Sequence, residues 1–536
     1  MTVGTVRPTS VRCGPVRRSR APSVRPLSTS FYVQRGVRKD AVYSAPVNSR
    51  ALIATLLAIA SLPCRAADAP PDKYLPLVRA HLDKVLTAGV DAVGPDHTAM
   101  WLAGIDVRKG GQPAAPKPLR PRWYRDINSP RGSNLYWDQS TLVAALEISR
   151  LTADTKYKAA VDRYLADFFA QCVSKETGLF YWGNHAYYDV FADKPVQFEG
   201  GYHEIRPHTP AWDVLWAADP AKTERAIRAI AAGHVKDPKT GLFCRHAAPD
   251  GKKTGAAKPF LEAGGPIVQS LCWLASKKPG GDADLVDLAV RVAKYSFDRR
   301  GETTGLLRNQ PVDKRWDYFA ATTESGVWAV ALLRAADLSG RAELRDMARA
   351  AVAAYLKYGW DDAAGLYFGQ LDIDAGQPKT PPAKREYMPA RYALLFDSFT
   401  FPTHNYPMSM AEACVTLYAQ TRDDQFRLAI THWVTHVRTS LKQADEQKTV
   451  GYAEEYGRTI RFLTRAARAL NDPAPLELAR DVAARAVRDL HVPDAAMFRT
   501  HPGEDRADAV DGVGLLFLAL IELDTGKELD LRGMSF

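Results

Sequence analysis

Three short segments of the chain concentrate ionisable side chains in a pattern that suits metal binding. His185 lies in the first segment, Glu204 in the second and His246 in the third. Two imidazoles and one carboxylate can hold a divalent transition metal and still leave coordination positions open. The sequence therefore predicts a metal site made of these three residues. The segments are Phe180–Asp189, Gly200–His208 and Phe243–His246.

The two histidines occupy related positions in successive parts of the chain. His185 follows Gly178 by seven residues, and His246 follows Gly241 by five. A single histidine in a loop is most often a hydrogen-bonding surface group, so neither residue would indicate a site alone. Two of them in one register, with Glu204 between them, favour a shared site at one end of neighbouring repeats.

A loop signature defines the repeat. Four copies have glycines separated by 63, 64 and 60 residues, and a degraded copy, Ala495–Phe498, follows after a longer interval. Each glycine is expected to supply the positive φ with which the chain leaves a helix. The four copies are Thr177–Phe180, Thr240–Phe243, Thr304–Leu307 and Ala364–Tyr367.

Between these loops, apolar residues recur with the period of an α-helix. Each repeat of about 62 residues holds two helices, which predicts an all-α protein, an α/α toroid (barrel) of about seven helical hairpins. An open superhelix is less consistent with chain ends that carry no polar capping repeat. Predicted helices are Lys156–Cys172, Ala221–Val235, Asp284–Phe297, Gly326–Leu338, Ala342–Tyr358, Met408–Thr421 and Leu476–Leu490.

The formal net charge of +10 is a property of the first 66 residues. Residues 1–66 contain 11 basic side chains and one acidic one, which leaves 60 of each sign in residues 67–536. This balance argues against a protein-wide surface for polyanions, and we expect no nucleic-acid partner. No phosphate-loop or dinucleotide-binding signature is present either.

Residues 47–66 have the pattern of a secretory signal peptide. An apolar run, Ala51–Leu62, follows a short charged start and precedes small residues. Twelve apolar residues are too few to cross a bilayer, which needs about twenty. We therefore expect residues 1–66 to be a leader that is removed, with translation starting near Val47. Residues 67–536 should then form a single toroid domain, secreted or periplasmic, with no transmembrane segment.

Four cysteines beyond the leader are widely spaced and form no CxxC pair. This spacing excludes a zinc ribbon and a disulfide-dense scaffold. One or two disulfides, or four buried thiols, stay open as alternatives. The cysteines are Cys172, Cys244, Cys272 and Cys414.

The stretch from Gly178 to His246 resembles polysaccharide lyase family 2, which comprises pectate lyases with a seven-hairpin α/α barrel. The resemblance implies that the three predicted ligands bind manganese, with Ca²⁺ or another divalent cation as the alternative. It also implies that Arg245 is the catalytic base and that the partner is an acidic polysaccharide or oligouronate. The matching motifs are Trp182–His185, His203–Arg206, Trp212–Trp216 and Phe243–His246.

A lyase of this kind cleaves a polyuronate by β-elimination. The proton at C5, which is α to the carboxylate, is removed and the glycosidic oxygen at C4 is expelled. The carboxylate charge must be neutralised to stabilise the enolate-like intermediate, and a divalent metal can do this as a Lewis acid. We expect further cationic and polar residues to bind the substrate: Asn184, His203, Arg206, His208, Arg315, Arg391 and His404.

The sequence leaves the identity of the base open. A guanidinium has a pKa above about 12 and accepts a proton poorly at neutral pH. Arg245 can therefore act as base only if burial and an adjacent metal lower its pKa; otherwise it is an electrostatic clamp and a tyrosine is the acid and base. The candidates are Tyr202, Tyr318 and Tyr387, and Tyr318 is preferred because it follows the next repeated loop.

The predicted function is a monomeric polysaccharide lyase that acts on a polyuronate, with polygalacturonate preferred. A metal-independent, tyrosine-based lyase on alginate or glucuronan is one alternative, and a sugar-binding protein without turnover is another. A toroid glycoside hydrolase is the third, but inverting hydrolysis needs two carboxylates roughly 6.5–9.5 Å apart. Asp189, Asp213 and Glu324 form no recognisable pair in the sequence.

Overall fold

The computed structural model describes most of the chain beyond the predicted leader. The predicted signal peptide and the cleavage of residues 1–66 lie outside the described residues. The description covers residues 73–536, except residues 112–131, 184, 198–201, 206, 253, 279, 281, 313–318, 381–389, 397–406, 510–511 and 536.

Helices dominate the described residues, and they alternate between two environments. Apart from the short helix α4, the even-numbered helices, such as α6, are buried over most of their length, whereas odd-numbered helices such as α5 bury one stripe at helical spacing. The fourteen helices of the described chain are α1 Leu75–Ala88, α2 Leu135–Thr152, α3 Lys156–Gln171, α4 Trp212–Ala218, α5 Pro220–His234, α6 Leu261–Lys277, α7 Ala283–Phe297, α8 Thr322–Ser339, α9 Ala342–Gly359, α10 Met408–Thr421, α11 Asp424–Gln447, α12 Ala453–Leu470, α13 Ala474–Leu490 and α14 Val513–Thr525.

The even-numbered helices form a closed inner ring. From α6 onwards, each of them packs against the next, and α14 packs against α2. Helix α4 is short and joins the ring through side chains: Gln139 of α2 accepts a hydrogen bond from the amide of Ala211 (2.7 Å), and the Trp212 indole donates to Ser270 of α6 (2.9 Å). Ring closure confirms the predicted α/α toroid.

The seventh hairpin differs from the prediction of consecutive pairs, because it is assembled from both ends of the described chain. Inner helix α14 pairs with outer helix α1, and Asp524 accepts hydrogen bonds from the amides of Tyr74 and Leu75 (2.5 and 2.8 Å). A strand pair, Gly104–Asp106 with Arg506–Asp508, joins the same two ends. The contact satisfies amide groups that the first turn of α1 leaves without intrahelical partners.

Connections from an outer helix to the next inner helix are long, except the short one from α11 to α12, and those from an inner helix to its outer partner are short. The long connections carry nearly all the β-structure. The strands are β1 Gly104–Asp106, β2 Gly132–Ser133, β3 Ala186–Asp189, β4 Lys194–Gln197, β5 Val235–Asp237, β6 Leu242–Phe243, β7 Ala320–Ala321, β8 Trp360–Asp361, β9 Leu366–Tyr367, β10 Gln370–Leu371, β11 His491–Val492, β12 Met497–Phe498 and β13 Arg506–Asp508. They pair antiparallel as β1–β13, β2–β3–β4, β5–β6, β7–β10, β8–β9 and β11–β12.

The repeated glycines have the predicted positive φ, but they do not lie at the ends of the helices as expected. They lie in tight turns beyond the ends of outer helices, and the amide of each donates to the carbonyl four residues earlier; for Gly241 and Asp237 the distance is 2.8 Å. Ala496 of the degraded copy also has a positive φ, +53°. The other glycines at this position are Gly178, Gly305 and Gly365, with φ of +86°, +74° and +64°.

Two further expectations can be compared with the described chain. The four cysteines are buried free thiols, which decides between the alternatives left open by the sequence. None of the helices described is both long enough and apolar enough to span a membrane.

Candidate active site

Two long connections at the same end of the ring carry the predicted metal ligands. The connection from α3 to α4 holds His185 immediately before β3, and Glu204 after β4. The connection from α5 to α6 holds Arg245 and His246, which follow β6 after Cys244. The two hairpins are neighbours in the ring, so segments that are distant in sequence meet at one rim.

A backbone bridge sets Glu204 opposite His246. The amide of His203 donates to the carbonyl of Ala247 (2.7 Å), and the amide of Ala247 donates back to the carbonyl of His203 (3.1 Å). In an antiparallel pair, the residues one step inside such a bridge face each other across the two strands. Glu204 and His246 occupy those positions, so their relative register is fixed by the backbone.

Gly183 allows the segment that carries His185 to approach Glu204. Its φ is +93°, and a Cβ atom at this position would lie 3.1 Å from the carbonyl oxygen of Glu204. Asn134, which precedes α2, binds both backbone polar groups of Gly183. Its Oδ1 accepts from the amide of Gly183 (3.1 Å), and its Nδ2 donates to the carbonyl of Gly183 (2.7 Å). A side chain at residue 183 would strain the backbone and press on this close approach.

The three predicted ligands converge. Glu204 Oε1 lies 2.5 Å from His246 Nε2 and 3.6 Å from His185 Nε2, and one ligand atom from each residue lies within 4.8 Å of the others. The imidazole rings of His185 and His246 are almost perpendicular, with centroids 5.5 Å apart. Glu204 is 1% exposed, whereas His185 keeps partial access to solvent. The cluster is therefore anchored by a buried carboxylate and open on the His185 side.

The donor set fits a divalent metal ion. Two imidazoles and one carboxylate are ligand types that a divalent transition metal accepts. Burial, the largest influence, lowers the pKa of His246 to about 4, so its imidazole is neutral near pH 7 and has a lone pair available for a metal. Within the described part of the chain, these are the three His, Cys, Asp or Glu side chains that converge in this way.

Arg245 lies against the same carboxylate. Its Nε atom is 3.5 Å from Glu204 Oε1 and donates a hydrogen bond to His246 Nε2 (3.1 Å). One Nη atom is 3.7 Å from Glu262 at the start of α6, and the guanidinium lies 4.4 Å from the centre of the Phe260 ring. Two carboxylates beside a guanidinium favour its charged form. The environment of Arg245 therefore suits a fixed positive charge better than a group that accepts a proton.

Tyr202 covers one face of His246. The two rings are stacked with centroids 4.2 Å apart and planes 4° from parallel, and the Tyr202 ring also meets His185 edge-on at 5.8 Å. Among the tyrosines proposed as acid or base, Tyr202 is the one that lies in the described residues. Tyr318 and Tyr387 both lie outside them.

His203 lies behind the cluster, although the sequence predicted that it binds substrate. It is 1% exposed, its Nε2 accepts from the Trp182 indole (2.7 Å), and its Nδ1 is 2.8 Å from Nε2 of His234. Burial, the first cause, lowers the pKa of His203 well below its usual value. Because both ring nitrogens are used inside the protein, the structure gives His203 a supporting position.

Two other predicted substrate-binding residues are described. His208 is buried and stacked on Tyr136 (4.7 Å), and burial, the largest cause, lowers its pKa to about 3. Arg391 is exposed in the connection from α9 to α10 and donates a hydrogen bond to Thr380 (3.3 Å). The remaining predicted residues lie outside the described chain; they are Asn184, Arg206, Arg315, Tyr318 and His404.

Three residues that support the site were not predicted. Glu262 contacts Arg245, Asn134 holds Gly183, and His234 contacts His203. Glu262 could have been found, because acidic residues recur in the first turn of inner helices, as at Glu324. The roles of Asn134 and His234 depend on packing between segments and have no local signal.

Comparison with protein families supports the relationship predicted from the motifs. The family described as periplasmic pectate lyase matches residues 117–264, which include every residue of the candidate metal cluster. This segment of the chain is similar to the pectate lyases. A pectate disaccharide-lyase of Dickeya dadantii (strain 3937) is 26% identical over 188 residues, which cover 33% of this chain and 33% of that lyase. The chain thus matches about a third of the length of this relative.

Two solved structures are similar to this chain at low sequence identity. A family 76 glycoside hydrolase from a bovine Bacteroides thetaiotaomicron strain is 11% identical, with 84% of this chain and 78% of that chain covered and a TM-score of 0.44. A D-mannose isomerase is 10% identical, with 85% and 99% covered and the same TM-score of 0.44.

Proposed function

We propose that the protein is a polysaccharide lyase that cleaves a polyuronate, with polygalacturonate as the preferred substrate. The observation that carries the proposal is the convergence of Glu204, His185 and His246 beside Arg245, within the segment related to pectate lyases. Two imidazoles, a buried carboxylate and a cation form a site for an anionic group whose charge must be neutralised.

His185, Glu204 and His246 are the residues that would hold the metal. When bound, a divalent cation supplies Lewis-acid neutralisation of the uronate carboxylate, which makes the C5 proton more acidic. Mn²⁺ is the ion we propose, because two imidazoles and one carboxylate suit a transition metal better than the all-oxygen sets preferred by Ca²⁺. Tyr202 fixes the plane of the His246 ring by stacking on it.

Arg245 is proposed to pair with the substrate carboxylate. Its planar guanidinium can donate two parallel hydrogen bonds to one carboxylate, and Glu262 and Phe260 hold it in position. The two neighbouring carboxylates stabilise its positive charge, which favours the electrostatic role over that of base. Removal of the C5 proton is then assigned to a tyrosine, and the candidates are Tyr318 and Tyr202.

Two of the three carboxylates considered for a glycoside hydrolase have partners within the protein. Asp189 accepts hydrogen bonds from the amides of Phe191 and Ala192 (2.9 and 3.2 Å), which stabilises the turn after β3. Asp213 on α4 pairs with Lys277 (2.6 Å). Both side chains therefore have structural roles. An acidic polysaccharide partner, secretion or a periplasmic location, and a monomeric state complete the proposal.

The type of bond cleavage can be measured directly on polygalacturonate. We expect ultraviolet absorbance from a 4,5-unsaturated product to rise in step with new reducing ends, because β-elimination creates one of each per cleavage. Reducing ends without absorbance would indicate hydrolysis and contradict the proposal. Alginate and glucuronan serve as parallel substrates, and faster absorbance on either would correct the choice of uronate.

A further inference from the structure

A chain of hydrogen bonds runs behind the cluster and joins the three segments that supply its ligands. The Trp182 indole donates to His203 Nε2 (2.7 Å), His203 Nδ1 is 2.8 Å from His234 Nε2, and His234 Nδ1 is 2.8 Å from the carbonyl oxygen of Cys244. All four residues are at most 1% exposed. We call Trp182, His203, His234 and Cys244 the imidazole relay.

The chemistry of the two ends fixes every proton in the imidazole relay. An indole N–H can only donate, so His203 Nε2 must accept and the His203 proton lies on Nδ1. A carbonyl oxygen can only accept, so the His234 proton also lies on Nδ1. The central bond must then run from His203 Nδ1–H to His234 Nε2. Both ends require the same pair of tautomers, so the four groups satisfy one another without an alternative arrangement.

Three members of the imidazole relay lie within three residues of a predicted ligand in the sequence. Trp182 is three residues before His185, His203 immediately precedes Glu204, and Cys244 is two residues before His246. His234 is the one member outside these segments, because it ends outer helix α5. The helix therefore positions all three ligand segments through one buried side chain.

We infer that His234 is a positioning residue, which sets the geometry of the cluster through His203 and Cys244 without touching it. This inference rests on the proposed metal site. Partners that orient metal ligands commonly contribute about 10- to 100-fold to metal affinity. Loss of the imidazole relay should therefore weaken metal binding while the fold is retained.

The test is a titration of the full-length protein with Mn²⁺, in which free Mn²⁺ is followed by electron paramagnetic resonance. His234→Leu removes both bonds of the side chain and should weaken Mn²⁺ affinity by about 10- to 100-fold. His234→Gln keeps an acceptor near the position of Nε2 and should lose less than about tenfold. A smaller loss of Mn²⁺ affinity in His234→Gln than in His234→Leu would show that the hydrogen-bond acceptor matters, which a purely structural role does not explain.

His436 provides the matched control. It is also a fully buried histidine on an outer helix, and its Nδ1 accepts from the amide of Tyr367 (3.1 Å), in a repeated loop that supplies no ligand of the cluster. His436→Leu should lower thermal stability but leave Mn²⁺ affinity within about twofold of the wild type, since no ligand segment loses a partner.

Two outcomes would overturn the inference. One is a folded His234→Leu protein with wild-type affinity, and the other is an equal loss of affinity in His436→Leu. If His234→Leu does not fold, Trp182→Phe removes the indole donor while keeping a buried aromatic ring, and unchanged affinity there would overturn the inference as well. A wild-type protein that binds no Mn²⁺ would instead contradict the metal site of the proposed function, and the inference would fall with it.

Discussion

Replacing Glu204 with Gln should lower kcat/KM on polygalacturonate by about 10³-fold and weaken metal affinity by at least about 100-fold. Glu204 contacts both histidines of the cluster and Arg245, at 2.5 Å from His246, 3.6 Å from His185 and 3.5 Å from Arg245. The amide is nearly isosteric but neutral, so it removes the anionic ligand and leaves the shape intact. Both quantities are measurable on one preparation, by lyase assay and by Mn²⁺ titration.

Glu262→Gln is the matched control for this change. Glu262 is equally buried and lies 3.7 Å from the same guanidinium, but it does not belong to the converging group. We expect metal affinity to stay within a few-fold of the wild type, because only the second partner of Arg245 is altered. Equal loss of metal affinity in the Glu204 and Glu262 variants would show that charge near Arg245, and not ligation, controls binding.

Replacing Arg245 with Ala should lower kcat/KM by about 10²- to 10³-fold while metal affinity changes by less than about tenfold. The guanidinium is not a proposed ligand, but its Nε lies 3.1 Å from His246 Nε2 and 3.5 Å from Glu204 Oε1. A preorganised donor at a developing charge is worth this much. Arg245→Lys should recover part of the loss because it keeps the charge but not the planar pair of donors. Steady-state kinetics and metal titration separate the two effects.

Arg228→Ala is the control for loss of an arginine. Its guanidinium pairs with Asp282 and Glu224 on the outer surface, away from the cluster, and its removal should leave kcat/KM unchanged. If Arg245→Ala kept more than a tenth of wild-type kcat/KM, the proposed pairing of Arg245 with the substrate carboxylate would be wrong.

The helices were predictable because apolar periodicity reports burial directly. Met408–Thr421 was predicted with the bounds that α10 has, and Lys156–Cys172 differs from α3 by one residue. Helix α8 begins four residues before the predicted Gly326, because Thr322 to Ser325 are polar residues that are nevertheless buried at the start of an inner helix. Hydropathy cannot distinguish such residues from a solvated loop.

The cluster itself was predictable because its ligands stand in the register of a repeat, and repeats are neighbours in the ring. The position of His203 could not be predicted in this way. Its position beside Glu204 indicated a binding role, but the side chain points to Trp182 and to His234, which is 31 residues further along the chain. A histidine's partners depend on packing between α5 and the loops, and spacing along the chain carries no information about that packing.

The most direct test of the metal-assisted mechanism is a lyase assay on wild-type protein before and after treatment with EDTA. The proposal predicts that the rise in ultraviolet absorbance on polygalacturonate stops after chelation and returns on addition of Mn²⁺ in excess of the chelator. Full activity in the presence of EDTA, with the protein shown to be free of metal, would contradict it and favour a tyrosine-based elimination.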